Sequence, residues 1–157
     1  MRTAIPLLPL LFALAACVSP PPGAAATDTG AAGPVDAQAL GAHGWRLSAA
    51  TDAAGRRIDA LFPDAAAPLQ FAFADGRVAV SGGCNRLSAA YTLDGGTLQV
   101  GPVAQTKMFC GGGALMAADE AMAARLQGAL SATVQDGRLV LSTAGGDRLV
   151  LDAAADL

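Results

Sequence analysis

Short segments in which apolar and polar residues alternate recur from residue 45 onward, and this pattern constrains the fold most. Phe71 and Phe73 alternate with small or polar neighbours in one segment, and Val78 and Val80 do so in the next. A period of two is typical of strands that bury one face. The predicted strands lie at residues 45–47, 69–73, 77–80, 90–93, 97–100, 132–135, 138–141 and 148–151. About eight short strands at this spacing indicate an antiparallel barrel or a sandwich.

Glycine-containing turns separate these segments. Asp75-Gly76 and Asp136-Gly137 each lie between two alternating runs. Asp-Gly pairs favour the two-residue turn of a β-hairpin, because both positions of that turn need a positive φ. Asp94-Gly95-Gly96 and Gly145-Gly146-Asp147 separate two further pairs of runs. The turns therefore predict that most neighbouring strands are joined as hairpins.

One segment, residues 119–130, interrupts the strand pattern with strong helix formers. Its predicted apolar face consists of Met122, Leu126, Ala129 and Leu130. Asp119 and Glu120 would lie in the first turn, where the helix dipole favours acidic side chains. We expect an amphipathic helix of about three turns that covers an open end of the sheet. Residues 49–68 are expected to form a long connection between the first two strands.

The chain begins with a predicted lipoprotein signal peptide, residues 1–16. Arg2 precedes an apolar run over residues 4–16, whose 13 residues are fewer than the roughly 20 that span a bilayer. Leu14-Ala15-Ala16-Cys17 resembles the lipobox of bacterial lipoproteins, which implies cleavage before Cys17 and acylation of that cysteine. Two or three acyl chains would anchor the protein firmly to a membrane. The alternative is an ordinary secretory signal with a chance cysteine near the cleavage site.

Residues 17–37 are predicted to comprise the lipidated cysteine and a tether, followed by one folded domain over residues 38–157. The tether is rich in proline, alanine and glycine and includes Pro20-Pro21-Pro22, so it cannot bury enough apolar surface to fold alone. Val18 follows the cysteine, where an aspartate would retain a lipoprotein in the inner membrane of enteric bacteria. We therefore expect the periplasmic face of the outer membrane.

The charge of the chain excludes some partners. The formal net charge is −3, and no run of basic residues occurs anywhere. A nucleic-acid-binding protein normally carries a basic stripe or patch, so nucleic acid is not an expected partner. The membrane, through the lipid anchor, and an envelope protein are the partners expected, and no cofactor is.

Two short motifs resemble the META domain, also called the HslJ-like family. The first is Gly83-Cys84-Asn85-Arg86, which Tyr91 follows, and the second is Thr106-Lys107-Met108-Phe109-Cys110. Family members pair a Gly-Cys-Asn-Arg motif with a Thr-x-Met-x-Cys motif before an acidic helix. The resemblance covers about residues 38–152. It implies a mainly β fold, a lipocalin-like antiparallel β-barrel with one packed α-helix. Members are commonly envelope lipoproteins or secreted domains, and some are linked to heat shock or antibiotic tolerance.

Cys84 and Cys110 are the only cysteines besides Cys17. An even pair in an oxidising compartment favours a disulfide, which would contribute about 3–4 kcal/mol for a loop of this length. A zinc site is a poorer hypothesis, because His43 is the only histidine and zinc takes about four ligands. A catalytic cysteine would need a base, and His43 is far away in sequence. Two free, buried thiols remain an alternative.

The other motif residues have expected structural roles. Asn85 is assigned a backbone role, because asparagine tolerates left-handed conformations and bonds its own backbone in turns. Gly82 and Gly83 indicate a bulge or a close backbone approach where a strand ends. Arg86 either bonds loop carbonyls or faces solvent, and Tyr91 is expected to be a core residue.

No catalytic constellation is visible in the sequence. It contains neither a Gly-x-Ser-x-Gly elbow nor a phosphate-binding loop. Asp119 and Glu120 are adjacent, and adjacent helix positions do not share a face. We therefore expect a non-catalytic envelope protein that supports envelope integrity or stress tolerance through protein contacts. The alternatives are a barrel that binds a small apolar ligand and an inhibitor or chaperone-like partner of another envelope protein.

Overall fold

The computed structural model describes residues 33–63 and 67–154. Within these ranges the chain forms ten strands, two α-helices and a short 3₁₀ helix. The strands are β1 (Gly33–Pro34), β2 (Gly44–Thr51), β3 (Gln70–Ala74), β4 (Arg77–Ser81), β5 (Leu87–Asp94), β6 (Thr97–Val100), β7 (Ala104–Gln105), β8 (Gly128–Gln135), β9 (Arg138–Thr143) and β10 (Arg148–Ala154). The helices are α1 (Ala37–Gly41) and α2 (Ala114–Leu126), and the 3₁₀ helix is Asp59–Leu61.

Eight of the strands form one closed antiparallel barrel. Neighbouring strands follow the order β8-β6-β5-β4-β3-β2-β10-β9, and β9 pairs with β8, which closes the sheet. The two-residue strands β1 and β7 pair with free stretches of β8 and β5. The predicted mainly β barrel with one main helix is confirmed. Of the two architectures that the strand pattern allowed, the closed sheet selects the barrel.

The predicted Asp-Gly turns are confirmed as two-residue hairpins. Asp75 and Gly76 have φ values of 50° and 68°, and they join β3 to β4. Asp136 and Gly137 have φ values of 51° and 73° between β8 and β9. Two consecutive positive φ angles are what a type I′ turn requires, and its twist matches that of the flanking strands. These local signals therefore fix the register of both hairpins.

Alternate residues of the strands point into the barrel, except where a bulge in β2 shifts the inward positions from Trp45 and Leu47 to Ala50. On β3, for example, Phe71 and Phe73 are buried, and on β9 Leu139 and Leu141 have no accessible surface. The inward-facing side chains with no accessible surface include Phe71, Val78, Val80, Leu87, Leu98, Ala132, Leu139, Leu141, Leu149 and Leu151. A water-sized cavity would add accessible surface to the side chains that line it, so the described interior is filled by side chains.

The two helices lie at opposite ends of the barrel. We call the motif end the one where β4 ends and β5 and β8 begin, and the hairpin end the one that carries the β3–β4, β5–β6 and β8–β9 turns. At the hairpin end, α1 buries Leu40, whose carbonyl accepts a hydrogen bond of 2.9 Å from the Trp45 indole. At the motif end, α2 packs against the 3₁₀ helix and leads directly into β8. An ion pair of 2.8 Å between Arg125 and Asp147 ties α2 to the β9–β10 turn.

The main helix does not have the bounds that the sequence predicted. Residues 119–130 were expected to be helical, but α2 begins at Ala114 and ends at Leu126. Gly113, at φ 73°, precedes the helix, and Gly128, at φ 102°, follows it. Residues 129 and 130 belong to β8, because pairing with both β6 and β9 outweighs their local helical preference. Asp119 is consequently in the middle of the helix rather than in its first turn.

The fold begins before the predicted boundary at residue 38. Gly33 and Pro34 pair with β8, Val35 is buried, and the Asp36 side chain caps α1 by accepting a 2.7 Å bond from the Ala39 backbone. The last residues of the predicted tether, 33–37, therefore lie on the barrel. The signal peptide, Cys17 and the rest of the tether lie outside the described residues. In the described ranges no helix has the length and apolar character needed to cross a membrane.

Candidate functional site

The two sequence motifs meet at the motif end of the barrel. The first occupies the connection between β4 and β5, and the second follows β7. Antiparallel pairing of Leu87 with Gln105 places the two connections side by side. The Thr106 backbone N–H then donates a 3.1 Å hydrogen bond to the Arg86 carbonyl, which continues the pairing beyond the strands.

The Asn85 side chain connects the two motifs to α2. Its Oδ1 accepts a hydrogen bond of 2.7 Å from the Met108 backbone N–H and one of 3.0 Å from the Thr106 hydroxyl. Its Nδ2 donates a 2.9 Å bond to Oδ2 of Asp119. Asn85 is 8% exposed and does not have a positive φ, so the predicted left-handed backbone role is wrong. Asn85 is needed instead because its side-chain amide both donates and accepts hydrogen bonds at one buried point.

Asp119 completes this arrangement from the middle of α2. It is 1% exposed, and its Oδ2 accepts a second bond, of 2.7 Å, from the Asn85 backbone N–H. Its Oδ1 is buried and has no hydrogen-bond partner among the described residues. This role was not predicted from the sequence. The available signal was that Asp119 lies three and seven positions before Met122 and Leu126, on the apolar face of the helix.

Two glycines permit these close approaches, as the sequence predicted. Gly82 has a φ of 99°, and a Cβ there would lie 2.8 Å from the Pro68 carbonyl oxygen. Gly83 packs directly against the Asp119 carboxylate, and a Cβ there would overlap Oδ1. A side chain at Gly83 would therefore displace the acceptor that holds Asn85.

The predicted disulfide between Cys84 and Cys110 is confirmed. The bond joins the two motifs covalently, with the Cα atoms 5.8 Å apart and the two cysteines 26 positions apart in sequence. Cys84 is buried and Cys110 is half-buried. In this state neither sulfur is a free thiol, so neither is available as a nucleophile or a metal ligand. We call the set Cys84, Asn85, Thr106, Met108, Cys110 and Asp119 the motif cluster.

Met108 contributes to the motif cluster through its backbone, because its side chain is 60% exposed. Phe109, between Met108 and the disulfide, is 87% exposed. Lys107 is exposed as well. Residues 107–109 therefore form a tip that projects from the barrel while its backbone is tied to Asn85.

Two further motif residues lie outside the motif cluster. The Arg86 side chain is exposed and borders an open hollow of about 380 Å³ that Ser81, Gly82 and Thr106 also line. Tyr91 lies farther along β5, half-buried, with its ring edge-on to Phe73 at a centroid distance of 5.7 Å. Burial raises the pKa of the Tyr91 phenol above its ordinary value of 10.0. The prediction that Tyr91 packs on the core agrees with this placement.

The motif cluster has the chemistry of a structural clamp. Thr106 and one oxygen of Asp119 both form hydrogen bonds with Asn85, and the Cys84–Cys110 disulfide cross-links the same two motifs. His43, the only histidine, lies against Trp45 at the hairpin end with ring centroids 5.9 Å apart. Within residues 33–63 and 67–154 no three His, Cys, Asp or Glu side chains group as metal ligands would.

Comparisons with known proteins identify the fold. The META domain model matches residues 38–156. A solved NMR structure of a protein from Burkholderia xenovorans is similar at a TM-score of 0.65 and 22% identity, covering 88% of this chain and 99% of that one. A second NMR structure is similar at a TM-score of 0.55 and 22% identity, covering 76% of this chain and 95% of the other. No curated protein matches.

Proposed function

The chain belongs to the META domain family, and from this premise we propose that it is a non-catalytic, lipid-anchored protein of the cell envelope. It acts at the periplasmic face of the outer membrane and supports envelope integrity or stress tolerance through contacts with other envelope components. Cys17 carries the lipid, and the chain up to the barrel acts as the tether. These roles come from the sequence of the leader and from the properties of the family.

One observation supports the non-catalytic part of the proposal most directly. The motif residues that could have formed an active site bond to each other instead, with Asn85 bound at 2.7 to 3.0 Å on both sides. A nucleophile needs an adjacent base, and the described motif residues offer neither a free thiol nor a histidine. The motif cluster is therefore suited to holding a surface in one shape.

The alternative of a small apolar ligand inside the barrel has less support. The side chains that would line such a cavity have no accessible surface, from Phe71 on β3 to Leu151 on β10. A ligand of drug size needs a cavity of roughly 300–1,000 Å³. The open hollow at Arg86 lies on the outside of the barrel and does not reach this interior.

The anchor is tested by intact-mass spectrometry of protein purified from membranes. We expect a chain that begins at Cys17 and carries acyl groups, with Cys84 and Cys110 alkylated only after reduction. An unacylated product that starts at another residue would contradict the anchor.

The envelope role is tested by deleting the gene and measuring detergent sensitivity and outer-membrane permeability. Wild-type protein should restore the barrier, whereas Cys17→Ser, which leaves the barrel unchanged, should not. Restoration by Cys17→Ser would contradict the need for an anchor. Turnover of a substrate by the purified protein, lost on a point substitution, would contradict the non-catalytic role.

A further inference from the structure

Residues Lys107, Met108 and Phe109, which we call the tip, carry the exposed large apolar side chains of the described structure. Met108 is 60% and Phe109 is 87% exposed, and no other large apolar side chain in residues 33–63 and 67–154 is comparably exposed. The remaining large apolar residues in these ranges are buried or half-buried. Adjacent exposed apolar side chains mark a site of interaction more often than a single exposed residue does.

The backbone of the tip is fixed to the barrel on both sides. The Met108 backbone N–H donates to the buried Asn85 amide, and Cys110, next to Phe109, is bonded covalently to Cys84. A loop pinned on both sides loses little conformational entropy when it binds. Because the fold holds these residues exposed, their exposure is a feature of the native state.

Two cations lie beside the apolar pair. Lys107 and Arg86 are exposed, and no acidic side chain lies within ion-pair distance of either in the described part of the chain. Of the other arginines in the described ranges, Arg56, Arg57, Arg125 and Arg138 form ion pairs, and Arg46, Arg77 and Arg148, on strands of the barrel, do not. Apolar side chains flanked by unpaired cations match a surface that is apolar below and anionic above, which is the chemistry of an acidic lipid headgroup layer.

We propose that the tip inserts into a membrane surface that contains anionic lipids, with Met108 and Phe109 among the acyl chains and Lys107 and Arg86 at the phosphates. This proposal rests on the lipid anchor of the proposed function. It concerns a second, non-covalent contact that the anchor itself does not supply.

The size of the apolar surface favours a membrane over a protein. A stable protein interface buries about 800 Å² per partner. Two side chains of this kind expose only roughly 300 Å², judging from the ~150–250 Å² of one aromatic residue. Two side chains of this size can insert between lipids, because lipid acyl chains rearrange around an inserted group.

The length of the tether allows this contact. β1 pairs with β8 near the hairpin end, so the tether joins the barrel at the end opposite the tip. Residues 17–32 could extend to about 50 Å at ~3.3 Å per residue, whereas an eight-residue strand such as β5 is only about 26 Å long. The barrel can therefore turn its motif end toward the membrane that holds Cys17.

The experiment uses the full mature chain, reconstituted in vesicles of phosphatidylethanolamine and phosphatidylglycerol with brominated acyl chains, which quench tryptophan on contact. Phe109→Trp places a reporter on the tip, and Thr92→Trp places a matched reporter at an exposed position of β5 near the hairpin end. The native Trp45 is 2% exposed and gives a constant background in both variants.

We expect Phe109→Trp to lose most of its added fluorescence in brominated vesicles and Thr92→Trp to lose almost none. An unquenched tryptophan at 109 overturns the proposal. Equal quenching at 92 and 109 would show that the barrel meets the membrane with no preferred end, and it would overturn the proposal as well. Adding Lys107→Glu to Phe109→Trp should lower the ratio of inserted to free tip at least about fivefold, the effect of removing one cation from an anionic surface. An unchanged ratio would refute the role of the headgroups.

The mass of the same sample separates this proposal from the anchor. An acylated chain with an unquenched tip refutes the tip alone. If the chain is not acylated, the anchor is refuted, and sedimentation with added vesicles then decides the tip: binding lost on Phe109→Ser supports it, and no binding refutes it.

Discussion

Replacing Asp119 with alanine tests whether the buried carboxylate holds the motif end together. Asp119→Ala removes the acceptor of two hydrogen bonds, of 2.7 and 2.9 Å, and leaves two Asn85 donors buried. Bonds to a charged group contribute about 1.5–3 kcal/mol each, so the gross loss is about 3–6 kcal/mol. The substitution also removes an unpartnered buried oxygen, whose burial costs about 1–2 kcal/mol. We expect a net loss of about 2–4 kcal/mol.

The assay is urea unfolding of the oxidised protein, followed by the fluorescence of Trp45, the only tryptophan in the chain. With a urea m value of about 1–3 kcal/mol/M, the midpoint should fall by roughly 1–2 M. Asp119→Asn keeps an acceptor oxygen for Asn85, loses the charge and replaces Oδ1 with an NH2 group, so it should lose about half as much. Glu120→Ala changes the exposed neighbour on the same helix and should stay within about 0.5 kcal/mol of wild type.

Pairing Asp119→Ala with Asn85→Ala isolates the bond between the two side chains. Both singles are destabilised, and the double variant should lose about 1–2 kcal/mol less than their sum, since contacting residues couple by this amount. Additive losses would show that the 2.9 Å side-chain bond contributes nothing. An Asp119→Ala variant as stable as wild type would refute the clamp altogether, because the orphaned donors would then be harmless.

Three further outcomes are expected. Gly83→Ala should destabilise the protein by more than about 2 kcal/mol, because its Cβ would overlap a buried carboxylate, while Gly111→Ala, whose Cβ would meet nothing within 4 Å, should be near neutral in the same urea assay. Equal losses would contradict the packing argument. Replacing both Cys84 and Cys110 with alanine should cost about 3–4 kcal/mol of unfolding free energy, and an unchanged midpoint would contradict this. Tyr91, the only tyrosine, should ionise above pH 10.0 when titrated at its phenolate absorbance band. Because its pKa is raised in the folded state, the related stability is complete below the unfolded pKa and declines as pH rises through the folded pKa. Titration at or below 10.0 would refute the desolvation.

Much of the barrel was predictable because its signals are local. Alternation assigns a face to each residue, and the Asp75-Gly76 and Asp136-Gly137 pairs demand a particular turn. The bounds of α2 were not predictable in the same way. Alanine-rich sequence continues past Leu126 with an apolar pattern that fits a helix, and only pairing of β8 with two other strands turns residues 129 and 130 into a strand.

The motif cluster was predictable in membership but not in mechanism. The disulfide follows from the number of cysteines and the compartment. The role of Asn85 depends on Asp119, which lies 34 positions away in sequence. No local pattern states that distance, and the predicted start of the helix had placed Asp119 in its first turn, where the helix dipole alone explains an acidic residue. A carboxylate on an otherwise apolar helix face is the one local sign that such a partner exists.

The motif end separates stability from recognition, and this determines which substitutions can reveal a function. Asn85, Asp119 and the disulfide hold the loop, so changing them lowers stability and deforms the tip at once. A loss of activity after such a change could therefore come from lower stability or from a displaced tip. The Met108 and Phe109 side chains, by contrast, are mostly exposed, at 60% and 87%. Exposed substitutions away from structural contacts usually change stability by less than about 0.5 kcal/mol. A phenotype caused by replacing those two side chains alone can therefore be assigned to what the tip contacts, whereas one caused by replacing the clamp cannot.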